Sequence, residues 1–125
     1  MILVDTSVWI DHARSSDAEL VKLLSRNRVL SHPFVVGEVA MGSFKQRDVF
    51  LAQLRDLPQA MMAQDDEVLG FIARHALFGL GIGYIDAHLL AAAQLTPGAV
   101  FWTRDTRLRA AAQKLSLAFV SSSNN

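Results

Sequence analysis

The sequence predicts an α/β fold in which helices cover both faces of a small, mainly parallel sheet, giving a three-layer sandwich. Two observations predict it. Short apolar runs of strand length alternate with longer segments that carry apolar residues at helical spacing. Two of these runs, residues 1–4 and 99–102, are closely followed by acids and then by helical stretches. Strands separated by helices form parallel sheets that are buried on both sides.

The first half of the chain starts with the apolar run at residues 1–4, which reads as a buried strand because it is short and ends at polar residues. A short helix follows from Val8. Ser15 and Ser16 suit the cap of a second helix over 17–26, in which Leu20, Leu23 and Leu24 recur at helical spacing. Then come a short strand over 29–31 and a helix that begins at Pro33 and stops near Gly42.

The second half is predicted to contain four helices and two strands. The apolar stripe of Val68, Leu69 and Ile72 marks one helix, and glycines at 79, 81 and 83 indicate a turn before the next. In order, we predict helices over 47–56, 65–77 and 84–94, a strand over 99–102, a helix over 107–115 and a short strand over 117–120.

Length and composition limit the kinds of protein that this chain can be. Its 125 residues, half of them hydrophobic, suit one domain over 1–120 with a polar tail over 121–125. The chain has no cysteine, which excludes disulfides, thiolate zinc sites and cysteine nucleophiles. Neither a signal peptide nor a membrane-spanning run is apparent, so we expect a cytoplasmic protein without membrane contact. Acidic and basic residues balance at 12 each, which neither indicates nor excludes a polyanionic partner.

Four acids far apart in the chain are predicted to gather in one site: Asp5, Glu38, Asp86 and Asp105. Asp5 and Asp105 come close after predicted strands, and the carboxyl ends of parallel strands are where open α/β sheets bind ligands. Asp86 falls in the first turn of its helix. Each aspartate alone is equally explained as a helix cap or first-turn acid.

Glu38 is harder to explain as a structural residue. Its helical neighbours, among them Phe34, Val35 and Val39, are apolar, and no lysine or arginine lies within one turn. A charge among apolar side chains needs a partner or a metal. We therefore interpret Glu38 as a member of the site.

Clustered carboxylates repel each other unless a cation neutralises them, and oxygen ligands suit Mg²⁺ or Mn²⁺. Such a metal activates water and offsets charge on a phosphodiester.

Ser7 and Thr103 stand beside two of the acids and either orient a carboxylate or cap helices. Arg104 and Arg107 suit RNA phosphates or a solvated helix face. His88 reads as structural or substrate-lining, and the four histidines show no zinc-ligand spacing.

The order of these motifs resembles a PIN-domain nuclease, most closely a VapC-type toxin of a type II toxin–antitoxin system. The motifs are Val4-Asp5-Thr6-Ser7, Glu38, Gly83-Tyr84-Ile85-Asp86-Ala87-His88-Leu89-Leu90 and Thr103-Arg104-Asp105, and they cover almost the entire chain. The resemblance implies that Asp5, Asp86 and Asp105 are metal ligands and that Glu38 completes the cluster through a second metal or a bridging water. Thr6, Ser7 and Thr103 match the family's small polar positions.

The resemblance implies a metal-dependent endoribonuclease that uses Mg²⁺, with Mn²⁺ as a substitute, and leaves a 5′ phosphate and a 3′ hydroxyl. It also implies a VapB-type antitoxin as partner and a homodimer. A PIN nuclease that processes RNA or cuts DNA stays open as an alternative. A phosphoacceptor receiver domain fits poorly, because no acidic pair follows the first strand and no lysine follows the late one. A haloacid-dehalogenase-type phosphatase needs a second aspartate where Ser7 stands.

Overall fold

Three short parallel strands lie at the centre of the molecule in a computed structural model that describes residues 1–121. The strands are β1 (Ile2–Val4), β2 (Val29–Leu30) and β3 (Val100–Trp102). Seven helices are found in this part of the chain: α1 (Thr6–Arg14), α2 (Ala18–Ser25), α3 (Pro33–Ala40), α4 (Arg47–Asp56), α5 (Asp65–Arg74), α6 (Tyr84–Leu95) and α7 (Thr106–Lys114). The predicted α/β class with a small parallel sheet is confirmed.

The sheet has the order β2-β1-β3, so β1 is the central strand and both its neighbours run parallel to it. All three of its residues are buried, which explains why the run is continuously apolar rather than alternating. Val4 pairs with Trp102, and the backbone N–H of Asp5 donates to the Trp102 carbonyl at 2.8 Å. The residues that follow β1 and β3 therefore emerge side by side.

Helix α6 contributes to the core along most of its length. Seven consecutive residues, 87–93, are buried, which explains the richness of this helix in alanine and leucine. It contacts both β3 and α5. A helix buried nearly all round is fixed in position, and this fixes the location of Asp86 in its first turn.

Several predicted element boundaries agree with the structure, and two signals were misread. Helix α4 has the predicted bounds. The cap of α2 is Asp17 rather than Ser15 or Ser16, because the Asp17 carboxylate accepts from the backbone N–H of Leu20 at 2.9 Å. Helix α5 ends at Arg74 instead of continuing to residue 77, and Ala76 takes a left-handed conformation with φ of 52°.

The end of the described chain forms one β-bridge instead of the predicted strand over 117–120. The bridge joins Ala118 to Phe101. Of the predicted polar tail, Ser121 donates to Glu19 at 2.5 Å, and residues 122–125 lie outside the described part of the chain. Within residues 1–121, no helix is both long and apolar enough to cross a membrane.

Candidate active site

Asp5 is the buried anchor of the site, with 6% of its surface exposed at the end of β1. Its Oδ2 accepts hydrogen bonds from the hydroxyls of Ser7 and Thr103, both at 2.7 Å, and from the backbone N–H of Ser7 at 3.4 Å. These bonds make Asp5 the cap of α1. They also tie the end of β1 to the end of β3, because Thr103 directly follows β3 and is itself buried.

Asp86 and Asp105 are held by the same kind of bond. The Oδ2 of Asp86 accepts from the backbone N–H of Gly83 at 2.9 Å, at the start of α6. The Oδ1 of Asp105 accepts from the backbone N–H of Leu108 at 3.0 Å and caps α7. The backbone N–H of Asp105 in turn donates to the Thr103 hydroxyl at 3.1 Å, which links this acid to the Asp5 network.

The capping and site interpretations of these three aspartates are therefore compatible. Each one commits a single carboxylate oxygen to the start of a helix. Within residues 1–121, the other oxygen of each carboxylate accepts no hydrogen bond. Helix capping orients the acid while leaving half of its ligand capacity unused.

The inference that drew Glu38 into the site was wrong in its premise. Glu38 is exposed, because the apolar neighbours of α3 pack on the other side of the helix, where Val35 and Val39 are buried. Because Glu38 is exposed to solvent, its charge does not need a partner or a metal. The structure nevertheless places Glu38 on the wall of the same cavity as Asp5 and Asp86.

That cavity is open, has a volume of about 420 Å³ and brings together residues from α1, α3 and α6. It is lined by Asp5, Thr6, Glu38, Gly83, Tyr84, Ile85, Asp86 and Leu89. Asp105 does not line it. Three of the four predicted acids thus share one cavity, and Thr6 lies on its wall. Ser7 and Thr103 are not part of the lining and instead donate hydrogen bonds to Asp5.

The four acids share one electrostatic field. Burial raises the pKa of Asp86, and the charges of Asp5, Asp105 and Glu38 raise it further, against the opposite effect of the bond from Gly83. Among residues 1–121, no three acidic or histidine side chains are already gathered at metal-ligand spacing. The repulsion and the all-oxygen donor set fit a divalent cation that retains several of its own waters.

Arg104 is engaged by the protein itself. Its guanidinium bonds to Asp11 at 2.6 Å and also to Asp17, and it lies 5.8 Å from the ring centre of Trp102. These contacts raise the pKa of Arg104, led by the bond to Asp11. The structure thus gives Arg104 an internal role, and its predicted contact with RNA stays a prediction.

Arg107 is placed differently, on the backbone of the glycine segment. A Cβ added at Gly81 would lie 2.5 Å from the Arg107 Nη1, so a larger residue there would force the arginine side chain to move. Gly81 also has φ of +77°, a conformation that favours glycine. Within residues 1–121, Arg107 forms no ion pair, which leaves its charge available for a ligand.

One cluster beside the cavity was not predicted from the sequence. The Oδ1 of Asp65 accepts from the Tyr84 hydroxyl at 2.9 Å and bonds the Nε2 of His88 at 3.1 Å. His88 is 2% exposed, which supports the structural interpretation of this histidine. The only signal in the sequence was the i, i+4 spacing of Tyr84 and His88 on one helix face, and the partner on α5 could not be read from spacing.

The chain is similar to known proteins over almost its whole length. The PIN domain family matches residues 2–114, nearly the whole chain. The chain belongs to the PIN-domain family. Two proteins named Ribonuclease VapC32, from Mycobacterium tuberculosis strains CDC 1551 / Oshkosh and ATCC 25618 / H37Rv, are each 50% identical to it over 118 residues. The match covers 94% of this chain and 95% of each relative, and it confirms the resemblance to VapC-type members.

A solved structure shares the fold. The crystal structure of PAE2754 from Pyrobaculum aerophilum superposes with a TM-score of 0.66 at 19% sequence identity, covering 94% of this chain and 87% of that one. At this identity the likeness speaks for the fold alone. It confirms the predicted PIN-like sandwich around a small parallel sheet.

Proposed function

We propose that this PIN-domain protein is a metal-dependent endoribonuclease that acts as the toxin of a VapBC-type toxin–antitoxin pair. The observation that carries the proposal is that the two carboxylate oxygens of Asp5, Asp86 and Asp105 have different roles. One oxygen of each is bonded to the fold, and the other is free within the described chain, in a shared field that raises the pKa of Asp86. The name of the 50%-identical relatives, Ribonuclease VapC32, supports the choice of substrate.

The residues would hold the metal through these free oxygens. Asp5, Asp86 and Asp105 are the proposed ligands of Mg²⁺, with Mn²⁺ as a substitute, because hard oxygen donors in small number suit both ions. Glu38, which lies exposed on the cavity wall, would complete the cluster through a second metal or a bridging water. Ser7 and Thr103 are positioning residues that act through Asp5.

When bound, the divalent cation supplies the charge that offsets the phosphate and activates the attacking water. The chain itself supplies orientation. Thr103 bonds Asp5 and receives the backbone N–H of Asp105, so one buried hydroxyl sets the spacing of two acids that lie a hundred positions apart. Acids that are fixed before substrate arrives need no reorganisation during the reaction. The expected products carry a 5′ phosphate and a 3′ hydroxyl.

The proposed partners are an RNA substrate, a VapB-type antitoxin and a second copy of the chain, and the proposed location is the cytoplasm. The support is the VapC name of the close relatives. A short reading frame for an antitoxin next to this gene, and a complex of the two products on co-expression, are the expected results. A chain that is purified alone and associates with no product of a neighbouring gene would contradict the toxin assignment.

The decisive test is cleavage of structured cellular RNA by the purified protein with Mg²⁺ or Mn²⁺, alongside a chelator control. Asp86→Asn is expected to remove cleavage while keeping the fold, because the amide oxygen can still accept from Gly83. Asp48→Asn is the matched control, since it makes the same change at an exposed first-turn acid of α4. Equal activity of Asp86→Asn and the parent protein would remove Asp86 from the site.

The choice of RNA over DNA is tested in the same assay. Parallel reactions contain single-stranded and duplex DNA, with the cut ends mapped for every nucleic acid. Metal-dependent cutting of RNA alone, lost in Asp86→Asn, is the expected result. Cutting of DNA alone would replace the proposed substrate with DNA while leaving the metal site in place.

A further inference from the structure

An exposed aromatic ring stands at the rim of the acidic cavity. Tyr84 lines the cavity together with Asp5 and Asp86, and 43% of its surface is exposed. It is the first residue of α6 and lies two positions before Asp86. The only oxygen of this side chain, its hydroxyl, donates to Asp65, so Tyr84 is not a suitable ligand for a hard divalent cation and its ring is available for other contacts.

The ring is held from two sides although it is not buried. Its hydroxyl donates to Asp65 at 2.9 Å, and the ring stands at 88° to that of His88, with the centres 4.9 Å apart. His88 is buried and bonds the same oxygen of Asp65. The face of Tyr84 is therefore oriented before any ligand binds, which lowers the entropy cost of stacking against it.

The glycine segment that precedes this ring is in contact with the side chain of Arg107. The Arg107 guanidinium rests on Gly81, and no acidic side chain within residues 1–121 pairs with it. Gly81 is two residues from Gly83, whose N–H bonds Asp86, and two residues span at most about 7 Å. Arg107 thus lies against Gly81, two residues before Gly83, which lines the acidic cavity, and three before Tyr84.

We propose that Tyr84 and Arg107 form a nucleotide-binding subsite of this nuclease, an inference that rests on the proposed function. The Tyr84 ring stacks on an unpaired base next to the cleaved bond, and Arg107 contacts a neighbouring phosphate. Aromatic side chains bind RNA bases that are splayed out of a helix, and a cation offsets the repulsion between phosphates and acids. The substrate class is therefore single-stranded or looped RNA at the point of cleavage.

The test uses the parent protein, Tyr84→Leu, Tyr84→Phe and Phe78→Leu on a short RNA that spans a mapped cut. Two further copies of this RNA each lack the base on one side of the cut. Phe78 is the matched control, because it is an aromatic residue of the adjoining loop, 68% exposed and outside the cavity lining. Thermal unfolding of each variant separates loss of the Asp65 bond from loss of stacking.

Tyr84→Leu is expected to lower kcat/KM on intact RNA about tenfold, with Tyr84→Phe retaining more activity than Tyr84→Leu. On one of the two abasic RNAs, the parent protein and Tyr84→Leu should cut equally, because the stacked base is absent from both reactions. Arg107→Gln should weaken binding and reduce its salt dependence by about one counterion.

The outcomes distinguish the two proposals. If the parent protein cuts no RNA, the proposed function fails and the subsite fails with it. If it cuts RNA but Tyr84→Leu loses the same factor on intact and on both abasic RNAs, or Phe78→Leu loses as much, the nuclease stands and the stacking subsite is overturned.

Discussion

Two acidic clusters flank the ends of β1 and β3, and they differ in how their charge is balanced. Asp11 and Asp17 share the Arg104 guanidinium. The cluster of Asp5, Glu38, Asp86 and Asp105 has no basic partner within residues 1–121. An arginine of the protein offsets part of the charge of the first cluster, whereas within residues 1–121 the second cluster has no such partner and keeps a mutual repulsion that raises the pKa of Asp86. Asp11 and Asp17 thus have a cation supplied by the protein, whereas the four acids of the candidate site have none within residues 1–121.

The two clusters also touch. The backbone N–H of Arg104 donates to the Ser7 hydroxyl at 3.1 Å, and Ser7 bonds Asp5. Residues 103–105 therefore contact both clusters. Thr103 bonds Asp5 and Asp105 of the candidate site, and the Arg104 side chain pairs with Asp11 and Asp17. Changes on the two sides should produce different kinds of loss, one in activity and the other in stability.

Outside the proposed metal ligands, the largest effect on activity is expected from Thr103→Val, which keeps the shape of the side chain and removes the hydroxyl that joins Asp5 to Asp105. Supporting groups of this kind alter metal affinity or activity by about 10- to 100-fold, so kcat/KM should fall by that factor. Thr103→Ser should restore most of it. Unchanged RNA cleavage by Thr103→Val would show that the acids are positioned without this bond.

A smaller effect, this time on the free energy of unfolding and in the stabilising direction, is expected from Asp86→Asn, the variant proposed above to lose cleavage. Because the folded-state pKa of Asp86 is raised, the charged form destabilises the native state at pH values above that pKa. Removing the charge should stabilise the fold at neutral pH by up to about 1 kcal/mol, since a half-exposed charge is screened.

The gain should disappear on acidification to below the ordinary aspartate pKa, where Asp86 is protonated in both the folded and the unfolded state. Urea unfolding across this pH range, repeated with Mg²⁺, measures it. Added Mg²⁺ should stabilise the parent protein more than the variant, because only the parent keeps the full ligand set. Equal stability of the two proteins at all pH values would contradict the shared field.

The smallest effect, again on stability, is expected in the cluster of Asp11, Asp17 and Arg104. Arg104→Gln leaves Asp11 and Asp17 without their cation and should lower the free energy of unfolding by about 0.5 to 1 kcal/mol, since the pairs are partly exposed. High salt should narrow the difference between variant and parent. Undiminished stability together with weaker RNA binding would instead support the predicted contact of Arg104 with RNA.

The sequence was a good guide to elements whose signals are local. Helix α4 was predicted with its observed bounds, and the strand-end acids were recognised because apolar runs and caps are read from neighbouring residues. The cap of α2 was missed because Ser15, Ser16 and Asp17 are all good caps. The structure distinguishes them by the bond from the Leu20 N–H to the Asp17 carboxylate, and Asp17 also contacts Arg104, which lies far away in the chain.

The sequence indicated which acids lie near one another better than it indicated their surroundings. Glu38 lines the cavity but is exposed, because apolar neighbours on a helix do not reveal which face is covered. Arg104 and Arg107 look equivalent in sequence, and tertiary contacts alone assign one to Asp11 and the other to Gly81. The bond between Tyr84 and Asp65 joins two helices and leaves no local signature.

One oxygen of each site aspartate accepts a hydrogen bond at the start of a helix. The negative charge at these positions can therefore be removed without removing the acceptor that the helix uses. Asparagine caps helices about as well as aspartate, so a single exchange of a carboxylate for an amide should give a protein that folds normally but cannot hold a cation. The helix starts at Asp5 and Asp105 therefore require a hydrogen-bond acceptor but not a negative charge. If the proposed metal site is correct, one substitution should give a folded but inactive protein.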